Sequence, residues 1–210
     1  KISTPLVAFP EAGTYEYTVG EDGSVTGTEK TISIGNYRPD IMDIISVSDN
    51  LKDSYDAEAG TISVTDAGTY SVTVKITNPA YYWSGMDETI TDATITYTIK
   101  KAPLDKLSAS FTGLDGDENK WNVGAEGIAV DVTGNYGDGK VTYHYSGSSY
   151  DGKFVPYTTD DPANIPDKAG NYEMWVTVAE TDNFEAGSTE SAKVSFSIGQ
   201  RGLTEPTLTG

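Results

Sequence analysis

The sequence predicts an all-β chain of two tandem antiparallel β-sandwich modules. Three observations carry that expectation. Apolar and polar residues alternate strictly over several segments, as in strands with one buried face. A set of segments recurs at an offset of about 100 residues, the size of one small sandwich. Gly- and Asp-rich turns separate the segments, and no long stretch has a helical period; residues 40–53 hold at most a short turn of helix.

In the first module Tyr70, Val72, Val74 and Ile76 share one face, with Thr69, Ser71, Thr73 and Lys75 on the other. Ala93, Ile95, Tyr97 and Ile99 alternate likewise with Thr94, Thr96 and Thr98. In the second module the inward sets are Ile128, Val130 and Val132; Val141, Tyr143 and Tyr145; Tyr172, Met174, Val176 and Val178; and Ala192, Val194, Phe196 and Ile198. One apolar face per strand implies antiparallel sheets stacked on each other.

The repeat places the boundaries. Asp66-Ala67-Gly68-Thr69-Tyr70 returns as Lys168-Ala169-Gly170-Asn171-Tyr172, an offset of 102, and the strand from Thr94 to Ile99 returns from Lys193 to Ile198, an offset of 99. A linker follows each copy, Lys100 to Leu104 and Gly199 to Leu203. The expected division is 1–101, 102–199, and a tail of 200–210 that resembles the first strand of a third module. With Lys1 at its start and no leader, the sequence reads as a fragment of something longer.

Composition removes several function classes. Acidic residues outnumber basic ones 32 to 14, for a net charge of −18. Residues 1–100 hold 15 acidic and 6 basic residues and residues 101–210 hold 17 and 8, so each half carries −9. Such an even negative field repels phosphate backbones and anionic lipid, so neither nucleic acid nor a membrane surface is an expected partner. No apolar run reaches the roughly 20 residues needed to cross a bilayer as a helix. The absence of cysteine excludes disulfides and thiolate metal sites.

Asp-Ala-Gly-Thr-Tyr before an alternating strand resembles the tyrosine corner of immunoglobulin-type domains, with Tyr70 and Tyr172 at the Tyr position. Val72 and Met174 stand where antibody domains carry Cys, so packing is expected to close the core. The second module, from Gly139 to Tyr145, Ala169 to Tyr172, Val176 to Phe184 and Phe196 to Ile198, resembles the bacterial Ig-like repeats of Gram-positive cell-surface proteins. The first, with Ala67 to Tyr70, Asn78 to Trp83 and Tyr97 to Ala102, is similar to a sister type. The resemblance covers most of residues 25–200; residues 1–24 fit it less well. It implies an extracellular, cell-wall-attached multidomain protein, either an adhesin or the accessory part of a secreted glycoside hydrolase.

No catalytic constellation is expected. His144 is the only histidine, and alternation puts it on an outer sheet face. Asp115, Asp117, Asn119 and Glu126 match four oxygen-ligand positions of an EF-hand loop, which makes Ca²⁺ the one candidate cofactor. Lys120 stands where that loop needs Gly, and a plain solvated loop is the competing expectation. Lys75 and Lys193 fall on polar faces, which disfavours an isopeptide bond, since that chemistry needs an apolar setting. Tyr82 and Phe184, at an offset of 102, are expected to close the two cores. Tyr81 and Trp83 stand beside Tyr82 in a longer loop, Asn78 to Glu88, and some of these three rings are expected to face solvent; Trp175 falls on the outer face, the same side as His144 if their strands are neighbours. Exposed rings suit the apolar faces of sugars.

Two functions follow as expectations. The first is a non-catalytic, monomeric spacer whose partners are the neighbouring modules of its own chain, with Pro103 stiffening the linker. The alternative is a carbohydrate-binding module for a polysaccharide such as starch, or for a host glycan, through Tyr81, Trp83, Trp175 and His144.

Overall fold

The long strands form where β-branched and aromatic residues alternate with Thr and Ser, because such side chains pack well on a pleated surface and resist helix formation. The computed structural model describes residues 6–7, 13–16, 30–114 and 118–202. The chain divides into two compact units, Lys1–Ala102 and Pro103–Gly210.

The first unit contains β1 (Leu6–Val7), β2 (Gly13–Glu16), β3 (Lys30–Ser33), β4 (Met42–Val47), β5 (Tyr55–Asp56), β6 (Thr61–Val64), β7 (Gly68–Ile76), β8 (Tyr82–Trp83) and β9 (Asp92–Lys100). One sheet runs β2-β9-β7-β4 and another β3-β6-β5. The expected turn of helix is a single 3₁₀ turn, Asp49–Leu51, which buries Leu51. Between the sheets lie Ile32, Ile62, Val64, Val72, Val74, Ile95 and Tyr97, all under 5% exposed.

The second unit contains β10 (Ser108–Thr112), β11 (Lys120–Asn122), β12 (Ala129–Thr133), β13 (Val141–Ser149), β14 (Tyr157–Thr159), β15 (Gly170–Val178), β16 (Gly187–Ser188) and β17 (Val194–Gly199). Its main sheet runs β11-β17-β15-β13-β14, with β16 beside β15, while β10 and β12 pair separately. Tyr145, Met174, Val176, Phe196 and Ile198 form the centre of this core. Trp121 stacks on Phe196 with centroids 5.1 Å apart and planes 5° from parallel, and lies 5.3 Å from Phe111.

Both tyrosine corners are present. The Tyr70 hydroxyl donates to the Asp66 carbonyl at 2.7 Å, and that of Tyr172 to the Lys168 carbonyl at 2.9 Å. Each bond ties the entry turn to the long strand that follows. Gly170 belongs to the same device: a Cβ there would collide with the Ser148 carbonyl oxygen and the Tyr172 hydroxyl. Val72 and Met174 are fully buried, so packing fills the positions that antibody domains give to Cys.

Three features depart from the sequence reading. Ala192 is exposed in a 3₁₀ turn, Glu190–Ala192, so the inward set of β17 starts only at Val194. The sheets are not purely antiparallel: β2 runs parallel to β9, β11 to β17 and β1 to β8. Alternation reports which face of a strand is buried and carries no information on the direction of its neighbour. The third concerns the loop before β9. Trp83, not Tyr82, fills the core there, fully buried with its indole N–H donating to the Thr91 carbonyl at 3.0 Å. Tyr82 is half-buried, whereas Phe184 is buried as expected. The two-residue strand β8 is one residue out of step with the repeat, and a slip of one residue exchanges the buried and outward side chains.

Candidate functional site: the outer face of the second sheet

The outward residues of β13, β15 and β17 form rows across the strands, because residues paired in register stand side by side on one face. His144 pairs with Trp175, Ser146 with Glu173 and Ser148 with Asn171. On the other flank Glu173 pairs with Ser195 and Asn171 with Ser197. The expected juxtaposition of His144 and Trp175 is therefore present: the rings stack with centroids 5.0 Å apart and planes 9° from parallel.

Trp175 is nevertheless not an open sugar platform. His144 comes from the strand on one side of β15, and Lys193, immediately before β17, from the other. The Lys193 ammonium lies 4.3 Å from the indole centroid, a cation–π contact. Both faces of the ring are thus occupied, and the indole is half-buried. Lys193 also pairs with Glu173 at 3.7 Å. The His144 Nε2 and the Thr177 hydroxyl are 2.9 Å apart. Burial holds the His144 imidazole below its ordinary pKa, against the opposing pull of Glu190.

The other aromatic candidates are withdrawn from solvent. Trp83 is in the core of the first unit, which corrects the expectation that it faces a ligand. Tyr81 is half-buried against that core, with the Arg38 guanidinium 5.6 Å from its ring centroid. In the second unit, burial pushes the Tyr157 hydroxyl up to about 12 and also raises that of Tyr145.

Of the four calcium candidates, Asp115 and Asp117 lie outside the described residues. Asn119 uses its amide nitrogen to donate to the Ser195 carbonyl at 3.2 Å, and Glu126 is exposed in the turn after β11. Among the described residues no three His, Cys, Asp or Glu side chains gather as a metal site. Lys75 and Lys193 are in exposed ion pairs with Asp92 and Glu173.

One feature of this face was not read from the sequence. A shallow groove of about 530 Å³ crosses the strands beside the His144–Trp175 row, lined by Lys120, Gly147, Asn171, Glu173, Ser195 and Ser197. Its trace in the sequence is a pair of small polar residues, Ser195 and Ser197, flanking Phe196.

No protein-family model and no curated protein matches the chain. Among solved structures it is similar to human CDH23 EC21-23, at 15% identity and a TM-score of 0.30, over 90% of this chain and 69% of that one. Clostridium thermocellum CbhA fibronectin(III)-like modules align at 15% identity and a TM-score of 0.26, over 100% and 99%. Sidekick-1 immunoglobulin domains 1–4 align at 12% and 0.30, over 94% and 48%.

Proposed function

We propose that the chain is a non-catalytic, force-bearing spacer: Ig-like repeats of a secreted bacterial surface protein that hold other domains away from the cell wall. One observation carries the reading. In each unit an early strand runs parallel to the last long strand, β2 to β9 and β11 to β17. Tension on the two ends of a unit pulls the early strand backward along its axis and the last strand forward. Parallel neighbours loaded in this way are sheared, so their hydrogen bonds share the force. An antiparallel pair with the same ends would unzip one bond at a time.

In the second unit the shear patch includes the Ser197 N–H donating to the Asn119 carbonyl and the Val123 N–H donating to the Gly199 carbonyl, both at 3.0 Å. With no disulfide available, such a patch is the means by which a cysteine-free module resists tension.

Single-molecule pulling on the chain, held at its two ends, tests the proposal. The expected result is an unfolding peak for each unit. Val123→Pro removes one N–H from the patch and lowers the force of one peak while leaving the other in place. Equal forces in the wild type and the variant would sink the shear reading.

A further inference from the structure

We infer that the groove across β11, β17, β15 and β13 is a binding site for a neutral polysaccharide segment, recognised by hydrogen bonding rather than by ring stacking. The site is distinct from the aromatic one that the sequence suggested.

The argument starts from register. Lys120 pairs with Ser197, Ser197 with Asn171, and Asn171 with Ser148, so four strands place four polar side chains in one row. A second row, Ser195–Glu173–Ser146, lies beside it. The ladder fixes the spacing of these groups, and sites on regular strands are held more accurately than sites on loops.

Part of the hydrogen-bonding capacity of the two rows is open. The Asn171 amide and the hydroxyls of Ser148, Ser195 and Ser197 bond to no other described side chain or backbone group. By contrast, Glu173 is engaged by Ser146 at 3.4 Å and by Lys193 at 3.7 Å, and Lys120 by Glu118. Gly147 lines one end of the groove; a Cβ there would collide with the Asn171 carbonyl oxygen of β15, and its φ of +128° is one that other residues rarely adopt. The groove's volume of about 530 Å³ lies within the range of small-ligand sites.

Chemistry then selects the ligand. An amide and hydroxyls, which both donate and accept, beside a carboxylate that accepts and an ammonium that donates, match the mixed hydroxyls of a sugar. An anionic glycan is opposed by Glu173 and by the net charge of −18. The two aromatic residues along the groove, Tyr172 and Phe196, are buried in the core, and the Trp175 indole on the same sheet face is engaged by His144 and Lys193.

The test is affinity electrophoresis of the whole chain in native gels cast with soluble starch, xylan, mixed-linkage β-glucan or, as the acidic counterpart, polygalacturonate. Retardation by at least one of the three neutral polymers is expected. Asn171→Ala and Ser197→Ala, both on the outer face, should each weaken it by about tenfold, the scale of one well-made hydrogen bond. Unchanged melting temperatures would show that the fold is retained. Trp175→Ala should retain most of the retardation, which separates this site from a stacking platform. No retardation by any neutral polymer, retardation by polygalacturonate alone, or full retardation of the Asn171→Ala/Ser197→Ala double variant would each overturn the inference.

Discussion

The outer faces of the two main sheets are built on the same frame and are chemically unlike. In the first unit β7 and β9 set Thr69 against Thr98, Ser71 against Thr96 and Thr73 against Thr94, with Lys75 against Asp92 at the end. The Thr73 and Thr94 hydroxyls are 3.0 Å apart. These short side chains suit the pleat and partner one another across the strands. In the second unit the corresponding strand β15 carries Asn171, Glu173 and Trp175, flanked by His144, Lys193 and Ser197. Large and charged groups there assemble a stack, an ion pair and a groove. A tyrosine-corner frame evidently tolerates either surface, since its stability comes from the buried face. The outward positions are therefore free to differ between the two units.

Substitutions that separate frame from face sharpen this comparison, and the tryptophans separate them most strongly. Trp83→Ala empties a fully buried site and removes one of two donors to the Thr91 carbonyl, which keeps the Ile76 N–H. It should cost about 3–5 kcal/mol in the first unit, read by denaturant unfolding. Next come the corners: Tyr70→Phe and Tyr172→Phe should each cost about 1 kcal/mol, and by similar amounts if the two frames are equivalent. A difference of several-fold would break the equivalence.

Smaller still is Trp175→Ala, expected at below about 1 kcal/mol, because the ring lies on the face and loses only a stack and a cation–π contact. A cost as large as that of Trp83→Ala would mean that the face is part of the core after all. The last effect depends on pH. Burial lowers the His144 pKa in the folded state, so the unfolded chain binds the proton more readily. That contribution is complete above the unfolded value of about 6.5 and is lost as pH falls through the folded one. Between about pH 7.5 and pH 5.5, wild type should lose slightly more stability than His144→Gln. Parallel pH profiles for the two proteins would refute it.

Much of the frame could be read from residue order. The long strands β7, β9, β13 and β15, both corner tyrosines and the packing positions Val72 and Met174 follow from local alternation and one repeated motif. The juxtaposition of His144 and Trp175 was also legible, because alternation assigns both to the outer face. Trp83 and Tyr82 were exchanged because a two-residue strand is too short for alternation to define its register. The open face expected of Trp175 was not there, since the lysine against its ring precedes a neighbouring strand and lies 18 positions on in sequence.

By itself the sequence determined the fold class, the repeat spacing, the buried face of each long strand, the even negative charge and the absence of any disulfide. These depend on residue type, on period and on neighbours within a few positions. Tertiary structure alone decided which strands run parallel, which rings remain bare and where polar side chains converge into a groove. Those outcomes depend on pairing between segments far apart in the chain, and alternation along a single strand does not encode its partner.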